Sequence, residues 1–191
     1  MGTQRLEAFT DGVIAIIITI MVLEIKVPHD ATAAALLSSL PILLTYVLSF
    51  INVGIFWNNH HHVLHAAERL DGRVLWANLF LLFWLSLVPF VIRWIDETGF
   101  QPLPTAAYGV VLAMAAVGYV WLEWALVACN GPDSTLATAV GKDLKGMVSL
   151  ACYGIAAALA FVRPWIAIVM YVAISLVWLL PDRRIEAMRK D

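Results

Sequence analysis

Residues 5–26 read Arg5-Leu-Glu-Ala-Phe9-Thr10-Asp11-Gly12-Val-Ile-Ala-Ile16-Ile-Ile-Thr19-Ile20-Met-Val-Leu23-Glu24-Ile25-Lys26. After Asp11 there are twelve residues without a charge, and the segment from Leu6 to Ile25 is long enough to cross a bilayer as a helix. At about 100° per residue, Ile16, Thr19, Ile20 and Leu23 fall on one narrow stripe, whereas Asp11 points elsewhere. One face of this helix is therefore apolar with a single hydroxyl. By spacing alone it reads as helix packing or lipid contact, and it becomes a dewettable constriction with a hydroxyl ring only if the helix lines a symmetric pore. The span carries Asp11 near its start and runs on into Glu24-Ile25-Lys26 with no small-residue cleavage pattern, so a secretory signal peptide is not expected.

The rest of the chain repeats the theme. Hydrophobic residues make up 62% of the 191, charged residues 14%, and the charges sit in short clusters between apolar runs. An apolar share this far above about half points to a membrane protein rather than a soluble domain. The reading is all-α and polytopic, with one transmembrane domain over residues 1–191 and six helices. These are expected at about 6–25, 34–61 (interrupted by Pro41), 74–94 (with Pro89 late), 105–129, 144–162 and 164–180. Asn130-Gly131-Pro132-Asp133 and Pro181-Asp182 act as stops. The prolines inside spans are tolerable where neighbouring helices satisfy the freed backbone groups.

Basic residues orient the helices. With both termini inside, Arg5, Arg69, Arg73, Lys142, Lys145, Arg183, Arg184, Arg189 and Lys190 fall on the cytoplasmic side. Only Lys26, Arg93 and Arg163 fall outside. That asymmetry obeys the positive-inside rule and predicts a multi-pass cell-membrane protein with cytoplasmic N- and C-termini. Trp94, Trp165 and Trp178 lie near span ends, where an aromatic belt sits. Lipid is one expected partner. A net charge of −2 gives no reason to expect nucleic acid.

Chemistry must come from the few polar groups within the spans, because such groups are expensive there. Asp11 reads either as part of an ion pathway or as a helix-start carboxylate favoured by the helix dipole. The run Trp57-Asn58-Asn59-His60-His61-His62, then His65, invites a metal or proton-sensing reading. However, only His61 and His65 share a face, and no acid or thiol completes a ligand set before Glu68. A polar layer is favoured instead: the end of the second helix lies at the depth of the first helix's start. There Trp57, Asn59, His60 or His61 can hydrogen-bond Asp11 or Arg5. Glu123 takes no assigned role, Cys129 and Cys152 read as small buried thiols, and the glycines and alanines of helices four and five suit close packing.

Together, Arg5-x-x-x-Phe9-Thr10-Asp11-Gly12, Ile16-x-x-Thr19, Leu23 and Trp57-x-Asn59-His60-His61 resemble the signatures of the endolysosomal potassium channel family, transmembrane protein 175, and its bacterial branch. Thr10 stands where serine is commoner and keeps the hydroxyl. The resemblance covers the whole chain and implies a homotetramer with helix 1 of each subunit around a central pore. It implies a leak-like, potassium-permeable cation channel without a filter loop. Ile16 and Leu23 would be constrictions, Thr19 the hydroxyl layer and Ile20 pore-lining. Arg5, Thr10, Asp11, Trp57, Asn59, His60 and His61 would form an inner polar network. Glu24 would stand at the outer mouth, its charge partly offset by Lys26. Such a pore needs no cofactor, metal or catalytic residue; its permeant is K+, with Na+ or Cs+ as further candidates. The alternatives are a secondary transporter, disfavoured by the apolar midplane and lack of repeats, or a proton-permeable channel using Asp11 and the histidines.

Overall fold

The structure is a computed structural model that describes residues 2–141 and 144–179, with only the backbone of Ala139 and Leu144. Lys142, Arg183, Arg184, Arg189, Lys190 and the Pro181-Asp182 stop lie outside the described residues. Among those described, the chain forms nine helices and no strand: α1 (Thr3–Leu23), α2 (Ala33–Ser38), α3 (Leu40–His65), α4 (Gly72–Ser86), α5 (Val88–Thr98), α6 (Pro102–Asn130), α7 (Thr135–Val140), α8 (Leu144–Leu159) and α9 (Pro164–Leu179).

The nine helices resolve into the six expected spans plus two breaks and one connector. Pro41 sits in the first turn of α3, so the expected interruption becomes a boundary at Ser39 with the short α2 before it. Pro89 lies in the first turn of α5 and splits the third span at Leu87. A proline is accommodated in a first turn because its missing N–H would have no intrahelical partner there. α5 continues past Trp94 to Thr98, where Gly99 takes the left-handed conformation at φ 66° and ends it. Local capping sets other starts: Asp71 accepts from the backbone N–H of Arg73 (2.9 Å) and Val74 (3.1 Å), and Ser134 accepts from Ala137 (3.1 Å) to open α7. α8 stops at Leu159 rather than Val162. The chain there tightens into a turn, with Arg163 N–H bonded to Leu159 O at 2.9 Å, ahead of Pro164.

α1, α3, the α4–α5 pair and α6 are each long and apolar enough to cross a membrane. α8 and the described part of α9 are apolar and 16 residues long, about 24 Å at 1.5 Å per residue. α6 runs through the middle of the subunit and packs against α4, α5, α8 and α9, while α1 packs against α3, α4 and α5. Gly118 allows the closest backbone approach: a Cβ there would lie 2.9 Å from the Leu81 Cα on α4.

Contacts across helices define two ends. At one end, Glu24 after α1 meets Arg93 of α5, and Phe100 stacks on Trp165 at the start of α9, ring centroids 5.0 Å apart. At the other end, Asn130 Oδ1 accepts from the backbone N–H groups of Glu68 (3.0 Å) and Arg69 (2.9 Å). Trp178 on α9 donates there to Ser149 on α8 at 2.8 Å. The start of α1 and the end of α9 therefore lie at the same end of the subunit.

Candidate pore helix and its polar anchor

α1 has two faces that differ in kind. Leu6, Thr10, Ile14, Ile17 and Met21 recur every three or four residues, and all are buried against the rest of the chain. On the opposite side the stripe expected from the periodicity is bare: Ile16 is 59% and Leu23 80% exposed, against 3% for Ile14 and Ile17. Ile20 and Thr19 are exposed on the same face. Thr19 Oγ1 donates to the Ile16 carbonyl at 2.9 Å. Its only proton is thereby committed to the backbone, so the hydroxyl oxygen offers lone pairs alone to anything in front of it. That is the polarity a dehydrated cation requires.

The buried face is held by side-chain hydrogen bonds near the start of α1. Trp57 Nε1 donates to Asp11 Oδ1 at 2.8 Å, which is the contact expected from matching helix depth. Thr10 is fully buried and meets Asn78 of α4: the Asn78 amide donates to Thr10 Oγ1 at 2.9 Å. The Asn78 oxygen in turn accepts from His60 Nε2 at 2.8 Å and from the Thr10 hydroxyl at 3.3 Å. His61 Nδ1 lies 2.6 Å from Glu7 Oε1. α1 is thus tied to α3 through Asp11–Trp57 and Glu7–His61, and to both α3 and α4 through Asn78. The His61 ring stacks on Trp57 (6.2 Å between centroids) and on His65 (6.0 Å).

Sequence reasoning missed two of these residues. Glu7 sits one turn before Asp11 and reads as an interfacial acid. Asn78 sits in the apolar run of the third span, where its amide alone was the available signal: a polar side chain at membrane depth must find partners. Two expected members take other places. Arg5 is exposed, with no side-chain hydrogen bond or ion pair to the described residues of its own chain. Asn59 donates to the Ile55 carbonyl of its own helix at 2.9 Å and lines a cavity of about 30 Å³ shared with Asn52, Tyr119, Ser149, Tyr153 and Trp178. It faces the α6–α8–α9 side of α3, away from Asp11.

That far side of α3 carries a second polar cluster absent from the sequence reading. Asn52, 2% exposed, accepts from Ser175 at 3.0 Å and Tyr153 at 3.3 Å, and Ser49 pairs with Tyr108 at 2.9 Å. These bonds bind α3 to α6, α8 and α9 in a setting where lipid cannot replace a lost partner. Among the described residues no group of three histidine, cysteine or acidic side chains converges as a metal site.

At the other end of α1, Glu24 accepts from Arg93 Nη1 at 3.0 Å, and Arg93 Nε donates to Glu97 at 3.1 Å. Lys26, expected to offset Glu24, instead lies 3.7 Å from Asp96 and 3.9 Å from Glu97. Arg93 and Glu24 share a groove with Ile16, Ile20, Pro89 and Phe90.

Comparison with known proteins gives this arrangement a context. Residues 5–89, which run from the first turn of α1 through α4 to the first turn of α5, match the family described as Endosomal/lysosomal potassium channel TMEM175. A protein of Chryseobacterium sp. (strain P1-3) named potassium channel HX13_20290 is 48% identical over 191 residues, 100% of both chains. Potassium channel Cha6605_3372 of Chamaesiphon minutus is 32% identical, covering 87% of this chain and 88% of its own. The crystal structure of a lysosomal potassium-selective channel TMEM175 homolog from Chamaesiphon minutus superposes with a TM-score of 0.79 at 28% identity, over 93% of this chain and 96% of that one. With the α1 signature, the Trp57–Asp11 anchor and the full-length similarity in hand, the chain belongs to the TMEM175 potassium channel family.

Proposed function

We propose that the protein is a potassium-permeable cation channel, formed by several copies, in which the bare stripe of α1 from each subunit lines one shared pore. The single observation that carries the reading is the division of α1. One face is buried and hydrogen-bonded to its own subunit, while the other leaves Ile16, Thr19, Ile20 and Leu23 exposed. A homotetramer is the assembly proposed. In it, Ile16 and Leu23 form rings narrow and apolar enough to shed water. Between them, Thr19 oxygens partly replace the hydration of a passing ion, and Ile20 lines the wall. K+ is the proposed permeant, with Na+ or Cs+ able to occupy the same path. The protein lies in the cell membrane with its N- and C-termini on the cytoplasmic side, as the basic-residue asymmetry supports.

The polar anchor serves this pore by position rather than by chemistry. Fixing Thr10, Asp11 and Glu7 against α3 and α4 sets the rotation of α1, and rotation decides which side chains face the axis. A turn of about 100°, one residue's step, would exchange Ile16 for Ile17.

The test is reconstitution into potassium-loaded liposomes and planar bilayers. Currents far above carrier turnover are expected, with a reversal potential that follows the K+ gradient. Ile16→Asn wets the constriction, raising unitary conductance and reducing discrimination of K+ from Na+. Slow, saturable flux coupled to a counter-ion would overturn the channel reading. Unchanged currents in Ile16→Asn would remove Ile16 from the narrow point.

A further inference from the structure

The outer end of α1 carries an electrostatic arrangement with a consequence for ion capture. Glu24, the first acid beyond the apolar stripe, is half-buried and accepts from Arg93 Nη1 at 3.0 Å. The same guanidinium donates through Nε to Glu97 at 3.1 Å, one helical turn along α5. Arg93 is held between two carboxylates, and its two donors match their positions in a way a point charge on a flexible stem would not. The remaining charges face one another: Lys26 lies 3.7 Å from Asp96 and 3.9 Å from Glu97. Arg93 is therefore the cation in direct contact with Glu24, and it shares the groove containing Ile16 and Ile20.

We propose that Arg93 is a conductance-setting residue: by masking Glu24 at the outer mouth it limits the local concentration of cations entering the pore. The proposal rests on the shared pore described above. An acid at a pore mouth concentrates cations, and in an oligomer each charge is repeated around the axis. A guanidinium 3.0 Å from that acid cancels most of its far field.

The size of the effect follows from Coulomb's law with screening. For four positive charges about 10 Å from the axis in water, removing them raises cation occupancy about threefold at 0.1 M salt. At 1 M, where the screening length is about 3 Å, the gain falls to about 1.1-fold. The salt dependence separates an electrostatic role from a packing role, since a packing defect persists at 1 M.

Unitary K+ currents from outside to inside are recorded for the parent chain, Arg93→Gln, Arg93→Lys and Glu24→Gln at both salt concentrations. Arg93→Gln is expected to carry about three times the parent current at 0.1 M and nearly the same at 1 M. Arg93→Lys, which keeps the charge, stays near the parent, and Glu24→Gln gives no gain. As a control within one folded protein, Arg93→Cys is modified with a cationic or a neutral thiol reagent; only the cationic adduct lowers the 0.1 M current. Equal currents for Arg93→Gln and parent at 0.1 M, or a gain that persists at 1 M, overturn the role of Arg93 while leaving the pore intact. No K+ current from the parent overturns the pore reading and this inference with it.

Discussion

Asn78 offers the sharpest test of how α1 is held. Replacing it with leucine keeps the branched shape and the number of side-chain heavy atoms, so no cavity forms; the lost hydrogen bonds dominate, and the bulkier methyl groups add some strain at this fully buried site. Those bonds join three side chains that are almost wholly buried: Thr10 at 0%, Asn78 at 0% and His60 at 1% exposure. The Thr10 hydroxyl can still turn to its own helix's carbonyls, whereas His60 loses the acceptor 2.8 Å from its Nε2. A buried polar group left without a partner costs about 1–3 kcal/mol. Interhelical hydrogen bonds in membranes average only about 0.6 kcal/mol, because the separated helices find other partners. Two lost contacts therefore bracket the effect between about 1 and 6 kcal/mol, with about 3 kcal/mol expected. For a chain of this length that is a fall of roughly 6–12 °C in Tm. The assay is thermal unfolding of detergent-purified protein followed by tryptophan fluorescence, with Thr10→Val and the double variant completing a cycle. Thr10→Val alone should be milder, and the double variant should sit close to Asn78→Leu, because the second change removes a partner already orphaned. A fall below about 2 °C for Asn78→Leu, or additive losses in the double variant, would refute the reasoning.

Four further substitutions probe packing and local structure. Gly118→Ala forces a methyl against the α4 backbone at Leu81 and is expected to cost about 1–3 kcal/mol, whereas Gly154→Ala, with nothing within 4 Å of the added carbon, should leave the melting temperature unchanged or raised in the same assay. Asp71→Ala removes the cap that satisfies two N–H groups at the start of α4 and should lower stability by about 1 kcal/mol, with Asp71→Ser retaining most of it.

How far the sequence carries depends on whether the information is local. The stripe on α1 was legible because helical periodicity alone separates Ile16, Thr19, Ile20 and Leu23 from the buried Ile14, Ile17 and Met21. Apolar run lengths gave the spans, and depth matching placed Trp57, Asn59, His60 and His61 together as candidate partners of Asp11 or Arg5 without choosing Trp57 among them. What stayed hidden is which residue completes a contact from another helix. Asn78 meets Thr10 across 68 residues and Tyr153 meets Asn52 across 101, and no spacing rule along one helix encodes such pairings. Lys26 was nearer to Glu24 in the chain than Arg93, yet Arg93 holds it, because α5 packs against α1 and brings the guanidinium beside the end of that helix. The breaks at Ser39 and Leu87 were signalled by Pro41 and Pro89, but a proline within an apolar run reads equally as a kink or a boundary.

The interruption at Leu87 has a mechanical meaning for the wall behind the first helix. α4 lies against α1 together with Thr10, and α5 against it near Glu24, so the backing is articulated rather than a single rod. Pro89 withholds the N–H that would stiffen the joint by bonding the Leu85 carbonyl, and Ser86, Pro89 and Phe90 line a groove with Ile16 itself. The elbow thus sits level with the narrowest expected ring. In the proposed pore this gives the wall behind α1 a joint at that depth, with Thr10 held on one side of it and Glu24 on the other.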